Sequence, residues 1–164
     1  GITRRGGGVD AVAVLPFANL TGDSGRDWLA SGLCESIIRR LSREAQLRVM
    51  APSTVFRYRG REVDPRTVGT ELGVARVVLG RIDAGGGSLG VTVELVRADD
   101  GTLLWGERFE RTAAAIANVE QTIASAIAVR LLVDETRGGA VAPQSPTTTS
   151  PVAYEQTSGV DALE

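Results

Sequence analysis

The apolar positions of this chain follow three rhythms. From Ala11 to Phe17 they are nearly continuous, with Val12, Val14, Leu15 and Phe17 among alanines and Pro16 near the end. Such a run suits a central strand covered on both faces, and Pro16, lacking an N–H, ends its pairing. The polar stretch Thr21–Arg26 then turns the chain. Beyond it Leu29, Leu33, Ile37 and Leu41 recur every four residues with Cys34 and Ile38 beside them. That spacing predicts an amphipathic helix from about Arg26 to Arg43, with Asp23 or Ser24 as its cap.

Leu47–Ala51 reads as a second short strand. Pro52 opens a helical turn carrying Val55 and Phe56, and Arg57–Arg61 closes it. Asp64 and Pro65 open another short helix through Val68 and Leu72, ending at Gly73. The rhythm then becomes twofold. Ala75–Asp83 is a strand, and Gly85–Ser88 its turn. Leu89–Ala98 alternates Leu89, Val91, Val93 and Leu95 against Gly90, Thr92, Glu94 and Val96. Asp99–Gly101 is a hairpin signal. Thr102–Thr112 follows, with Leu103, Trp105, Glu107 and Phe109 on one face and Leu104 and Gly106 on the other.

Helical spacing returns in Ala113–Val133, where Ile116, Val119, Ile123, Ile127 and Leu131 form a stripe. The order β-α-β-α-β-β-β-α predicts an α/β fold: a mixed five-stranded sheet with helices packed on it. Residues 10–133 make up this domain. Residues 1–9 read as a flexible linker, and 134–151, rich in Gly, Pro, Ser and Thr, as a second one. Residues 152–164 read as the start of a further helix or a tail.

Composition narrows the chemistry. Of 164 residues 43% are hydrophobic and 4% aromatic, so the core must be built from Val, Leu, Ile and Ala. The chain has no histidine, and all 18 basic residues are arginine. This removes imidazole bases and ligands, Ser–His and Cys–His pairs, the phosphate-loop lysine and Schiff-base chemistry. A lone Cys34 allows neither an internal disulfide nor a cysteine zinc site. The formal net charge of -2 gives no general drive toward nucleic acid. No apolar run is long enough to span a bilayer. No catalytic residue, metal ligand or cofactor is expected.

Two segments are candidate binding surfaces. The loop from Asn19 to Asp27, with Asn19, Thr21 and Asp23, lies where a strand gives way to a helix N-terminus. It is either a lip that contacts a ligand or a turn whose polar side chains bond one another and cap the helix. Segment 39–66 carries eight arginines against three acids, and Arg57, Tyr58, Arg59 and Arg61 lie in its second half. It is either a patch for an acidic partner or a solvated face balanced by acids such as Glu107, Glu110 and Glu120. One aromatic is too few for a nucleic-acid stacking platform. Glu35 is expected to pair with an arginine such as Arg76 or Arg81, and Cys34 to pack as a small hydrophobe. Trp105 and Phe109 are expected to pack in the core.

Several pieces resemble, in order and spacing, the TolB N-terminal-like domain of bacteria. They are Val12–Asn19, Thr21–Asp23, Ser31–Ile38, Phe56–Gly60, Glu71–Gly80 and Leu103–Arg111. More distantly, the Leu15–Asn19 opening looks like envelope proteins of the FlgO, CsgG and LpoB type. The resemblance implies a non-catalytic interaction or sensory module, on the periplasmic side of a membrane-anchored parent. Such domains precede TPR arrays in adenylate cyclases, Ser/Thr kinases and CadC-like regulators, and residues 153–163 look like a truncated first TPR helix. The alternatives are a small-molecule sensor with its pocket at the strand C-terminal ends, and a cytoplasmic location. The partner implied is a protein, with self-association through strand edges a further expectation. Neither nucleic acid binding nor membrane insertion is implied.

Overall fold

Strand β1 (Ala11–Val14) lies at the heart of the sheet, and all four of its residues are buried. The computed structural model describes residues 11–44 and 47–140. After Pro16 and Phe17 the chain resumes pairing as β2 (Ala18–Asn19). Helix α1 (Asp27–Leu41), β3 (Arg48–Val49), α2 (Pro52–Val55) and α3 (Pro65–Leu72) follow. The antiparallel strands β4 (Arg76–Gly85), β5 (Ser88–Arg97) and β6 (Leu103–Thr112) lead into α4 (Val119–Ala140).

The sheet order is β3-β1-β4-β5-β6, with β2 also on β4. Strands β3, β1, β2 and β4 run parallel, and β4, β5 and β6 antiparallel. This is the expected mixed α/β sheet with one added two-residue strand. Pro16 interrupts pairing but does not end it, because Leu20 N–H still reaches Ile82 O at 2.7 Å. The crossovers β1-α1-β3 and β3-α2-α3-β4 step in opposite directions. Right-handed connections therefore put α1 on one face and α3 on the other, while the short α2 between them contacts α1.

On the α1 face lie Val78 and Ile82 of β4 and Val91, Val93 and Leu95 of β5, all without exposed surface. Ile37 and Leu41 of α1 and Ile123, Ile127 and Leu131 of α4 belong to the same core. On the other face Val77 and Val96 are buried, and α3 packs there beside β4 and β5. Beyond α3 that face is polar, and Arg108 spans β6 to β4 with two bonds to Asp83 at 2.8 and 2.9 Å.

Local signals explain the element ends. Asp64 Oδ1 accepts from Arg66 N–H at 2.9 Å and caps α3, whose first residue is Pro65. Gly73 closes α3 at φ 68°, a left-handed conformation that glycine adopts without strain. In the β4–β5 turn Gly86 and Gly87 both have positive φ, as a two-residue hairpin requires.

Two expectations need correction. Leu103 does not share a face with Trp105 and Phe109. Trp105 pairs with Leu95 but Leu103 with Val96, so Leu104 is an extra residue and the alternation falls out of step. Leu103 is consequently exposed, while Phe109 is buried. Helix α4 also runs past Val133 to Ala140. Residues 134–140 hold no proline, and an established helix propagates at little cost.

Residues Val9–Leu132 form one compact unit. The expected linkers and the truncated TPR helix lie outside the described residues, apart from 134–140.

Candidate functional site

The two stretches singled out in the sequence meet. A cavity of about 800 Å³ opens beyond the C-terminal end of β1. Its floor is Pro16–Leu20, one wall is the start of α1 with Asp27, Trp28 and Ser31, and the other is Tyr58–Glu62. A neighbouring cavity of about 580 Å³ shares Tyr58 and Arg61 and extends to Arg81 and Glu94 on the polar sheet face.

Asn19 ties the loop together. Its Nδ2 donates to Asp23 O at 2.9 Å and to Asp27 Oδ1 at 2.7 Å, while its Oδ1 accepts from Thr21 N–H at 3.1 Å and Thr21 Oγ1 at 2.7 Å. Thr21 Oγ1 accepts in turn from Asp23 N–H at 3.1 Å. Asp23 Oδ1 accepts from Gly25 N–H at 2.9 Å, capping the single 3-10 turn (Ser24–Arg26) before α1. The loop chemistry is therefore that of a self-bonded turn. Asn19 borders the cavity, whereas Thr21 and Asp23 do not.

The arginine-rich segment divides in a similar way. Tyr58 is only 3% exposed, and its hydroxyl donates to Glu71 Oε1 at 2.5 Å. Burial, and then the bond to Glu71, raises the phenol above its ordinary pKa. Arg57 lies 3.7 Å from the Glu71 carboxylate and 3.2 Å from the Tyr58 hydroxyl. Arg59 stacks over the Phe56 ring, its Cζ 4.5 Å from the centroid. Arg61 lies 5.7 Å from the Tyr58 centroid and donates to Arg57 O at 3.0 Å. Arg57 and Tyr58 thus support the wall, and Arg59 and Arg61 are presented at the cavity.

Two residues that the sequence reading passed over stand out. Trp28 is 71% exposed and Leu20 59% exposed, and both line the same cavity. Large apolar side chains held in water beside a cavity mark contact surfaces more than stability. The signal was present: Trp28 is off the Leu29–Leu33–Ile37 stripe, and Leu20 lies in a polar loop.

The remaining candidates have structural partners. Glu35 pairs with an arginine, as expected, and the partner is Arg39 one helical turn on, at 3.6 Å. Arg40 reaches Glu120 at 4.0 Å, one of the balancing acids expected. Cys34 is fully buried, with Sγ 3.4 Å from Val14 O, and burial pushes its thiol up to about 12. Asp100 Oδ1 accepts from Thr102 N–H and Oγ1, which is turn chemistry. Among the described residues no helix is long and apolar enough to cross a membrane.

Set beside known proteins, the fold is that of TolB-like α/β domains. The structure of TolB from Acinetobacter baumannii matches with a TM-score of 0.54 and 17% identity, covering 75% of this chain and 28% of that one. Lipoprotein GNA1162 from Neisseria meningitidis matches with a TM-score of 0.53 and 18% identity, over 73% of this chain and 99% of that one. The chain belongs to the family described as HilA/YgeH-like transcriptional regulator, second domain, which it matches over residues 9–126. A curated relative, "Putative adenylate cyclase 3" of Rhizobium meliloti (strain 1021), is 32% identical over 145 residues, 88% of this chain. The chain spans 25% of that relative's length.

Proposed function

We propose that this domain is a non-catalytic protein-interaction module of a bacterial signalling or envelope protein, and that the cavity between β2, α1 and Tyr58–Glu62 is its contact surface. The observation that carries this reading is the exposure of Leu20 and Trp28 on a cavity whose loop is already satisfied internally. A wet tryptophan on a rigid helix start is a ready anchor for a partner. The kinship with a regulator domain and an adenylate cyclase supports a signalling parent. The likeness of the fold to a lipoprotein and to TolB supports an extracytoplasmic setting; a place before a TPR array in a membrane-anchored parent is part of the proposal and rests on the sequence resemblance alone. Any sensing must favour one state of that parent over another.

The test is a comparative pulldown from envelope and lysate fractions of the native organism. The bait is the wild-type chain beside Leu20→Ser/Trp28→Ser and Arg59→Ser/Arg61→Ser variants. A partner held by wild type and lost from both variants supports the reading. A partner set identical across all three baits contradicts it.

The cavity size and its place at strand ends favour a second reading, a small-molecule sensor, since ligand pockets fall in this range. A thermal shift with a metabolite pool, abolished by Trp28→Ser, would select it over protein docking.

A further inference from the structure

Arg59 and Arg61 are built differently from the arginines around them. Arg57 is paired with Glu71, Arg66 with Asp64 and Arg108 with Asp83. Among the described residues, Arg59 and Arg61 pair with no carboxylate. Arg59 lies over the Phe56 ring, which packs against the core, and Arg61 lies near the ring of Tyr58, which is buried, bonded to Glu71 and also approached by Arg57 at 5.1 Å. A guanidinium lying over a ring keeps its in-plane N–H donors for a planar carboxylate; Arg61 uses one of them, Nη1, on Arg57 O at 3.0 Å and keeps the others. A fork held in place before binding loses little side-chain freedom when it is engaged.

Across the same cavity stand Leu20 and Trp28, an apolar surface facing water. Two carboxylates also line the cavity. Asp27 is engaged by Asn19 at 2.7 Å, and Glu62 adjoins Arg61. Their charge opposes a polyanion, so nucleic acid and an anionic lipid surface fit poorly here. A segment with one acid placed at the arginines and an apolar residue beside it fits well.

We propose that the cavity receives an extended peptide segment of a protein partner, an acidic side chain on Arg59 and Arg61 and a neighbouring apolar side chain between Leu20 and Trp28. This rests on the interaction-module reading and adds the chemistry of the partner. The bonds are charge-assisted and partly exposed, so affinity falls with rising salt.

The test selects a phage-displayed library of random short peptides on the full chain, then measures binding of a synthesised, fluorescently labelled winner by its anisotropy. Enriched sequences should place Asp or Glu next to Leu, Ile, Phe or Trp. Arg59→Gln or Arg61→Gln should each weaken binding about tenfold or more, and Trp28→Ser should weaken it comparably. Lysine at either position should not restore full binding, because it cannot form the fork. These are surface changes that leave the fold intact. Winners lost with Trp28→Ser but indifferent to both arginine substitutions would overturn the acidic class and leave the contact surface standing. Binding indifferent to Leu20, Trp28 and both arginines would overturn both. Selection of no peptide would also overturn the peptide proposal.

Discussion

Gly80 of β4 lies under the ring of Phe17, and replacing it with alanine gives a measurable consequence. A Cβ at Gly80 would stand 2.6 Å from Phe17 Cε1 and Cζ and 2.7 Å from Cε2. Carbon atoms in contact prefer about 3.5–4.0 Å, so the ring must retreat by roughly 1 Å. Phe17 is 5% exposed and packed in the core, so it has little room. Overpacking of this kind costs about 1–3 kcal/mol. The glycine-to-alanine change returns about 0.4–1 kcal/mol through the unfolded chain, so the clash should win and Gly80→Ala should destabilise by about 0.5–2 kcal/mol. For a unit of about 120 residues, 1 kcal/mol corresponds to about 4 °C in Tm. Urea unfolding followed by circular dichroism reads the shift directly, as a lower midpoint with an unchanged slope. The decisive comparison adds Phe17→Leu, which removes the offending ring. In that background Gly80→Ala should cost less, with a coupling of at least about 0.5 kcal/mol. Equal cost in both backgrounds, or a more stable single variant, would refute the contact. Because Phe17 also floors the cavity, Gly80→Ala should weaken partner binding as well.

Ile123→Ala, at a site with no exposed surface beneath α4, should cost about 2–5 kcal/mol in urea unfolding; a loss under 1 kcal/mol would mean the helix is not seated as described. The Asp64 carboxyl is held at about 2, first by side-chain bonds from Arg66 and then by the Arg66 backbone N–H. A depressed carboxyl stabilises fully above its unfolded value, near 3.8, and loses that contribution as pH falls toward 2. Asp64→Asn should therefore flatten part of the stability decline between about pH 4 and 2, an effect softened by salt because the pair is exposed; an unchanged profile would count against it. Cys34 titrates near 12 in the folded chain, so the thiol should resist alkylation at pH 8 until denaturant is added. Since the unfolded thiol ionises first, stability should fall above about pH 9 by an amount that Cys34→Ala removes.

Much of the fold is legible in the sequence because its signals are local. The four-residue spacing of Leu29 to Leu41, the Asp64–Pro65 start and Gly73 end of α3, and the alternation of Leu89 to Leu95 each follow from one element's own covering. What depends on a neighbour is less legible. The bulge at Leu104 is set by pairing with β5, and β2 exists only because β4 offers Ile82 O beyond Pro16. The candidate site divides along the same line. Asn19, Arg59 and Arg61 are found as residues, but their convergence on one cavity needs the crossover that brings 58–62 over the end of β1. Trp28 and Leu20 escape notice because an apolar residue outside a stripe reads as noise until its exposure is known.

The most direct test of the contact surface is site-specific photo-crosslinking in the native organism, with a photoreactive phenylalanine analogue placed singly at Leu20, Trp28, Thr92 and Val129. The first two border the cavity, Thr92 lies on the polar sheet face, and Val129 is exposed on α4. The prediction is one shared adduct from Leu20 and Trp28 that is absent from Thr92 and Val129 and reduced by Arg59→Gln. Adducts arising only from Thr92 or Val129 would contradict it and place the working surface elsewhere on the domain.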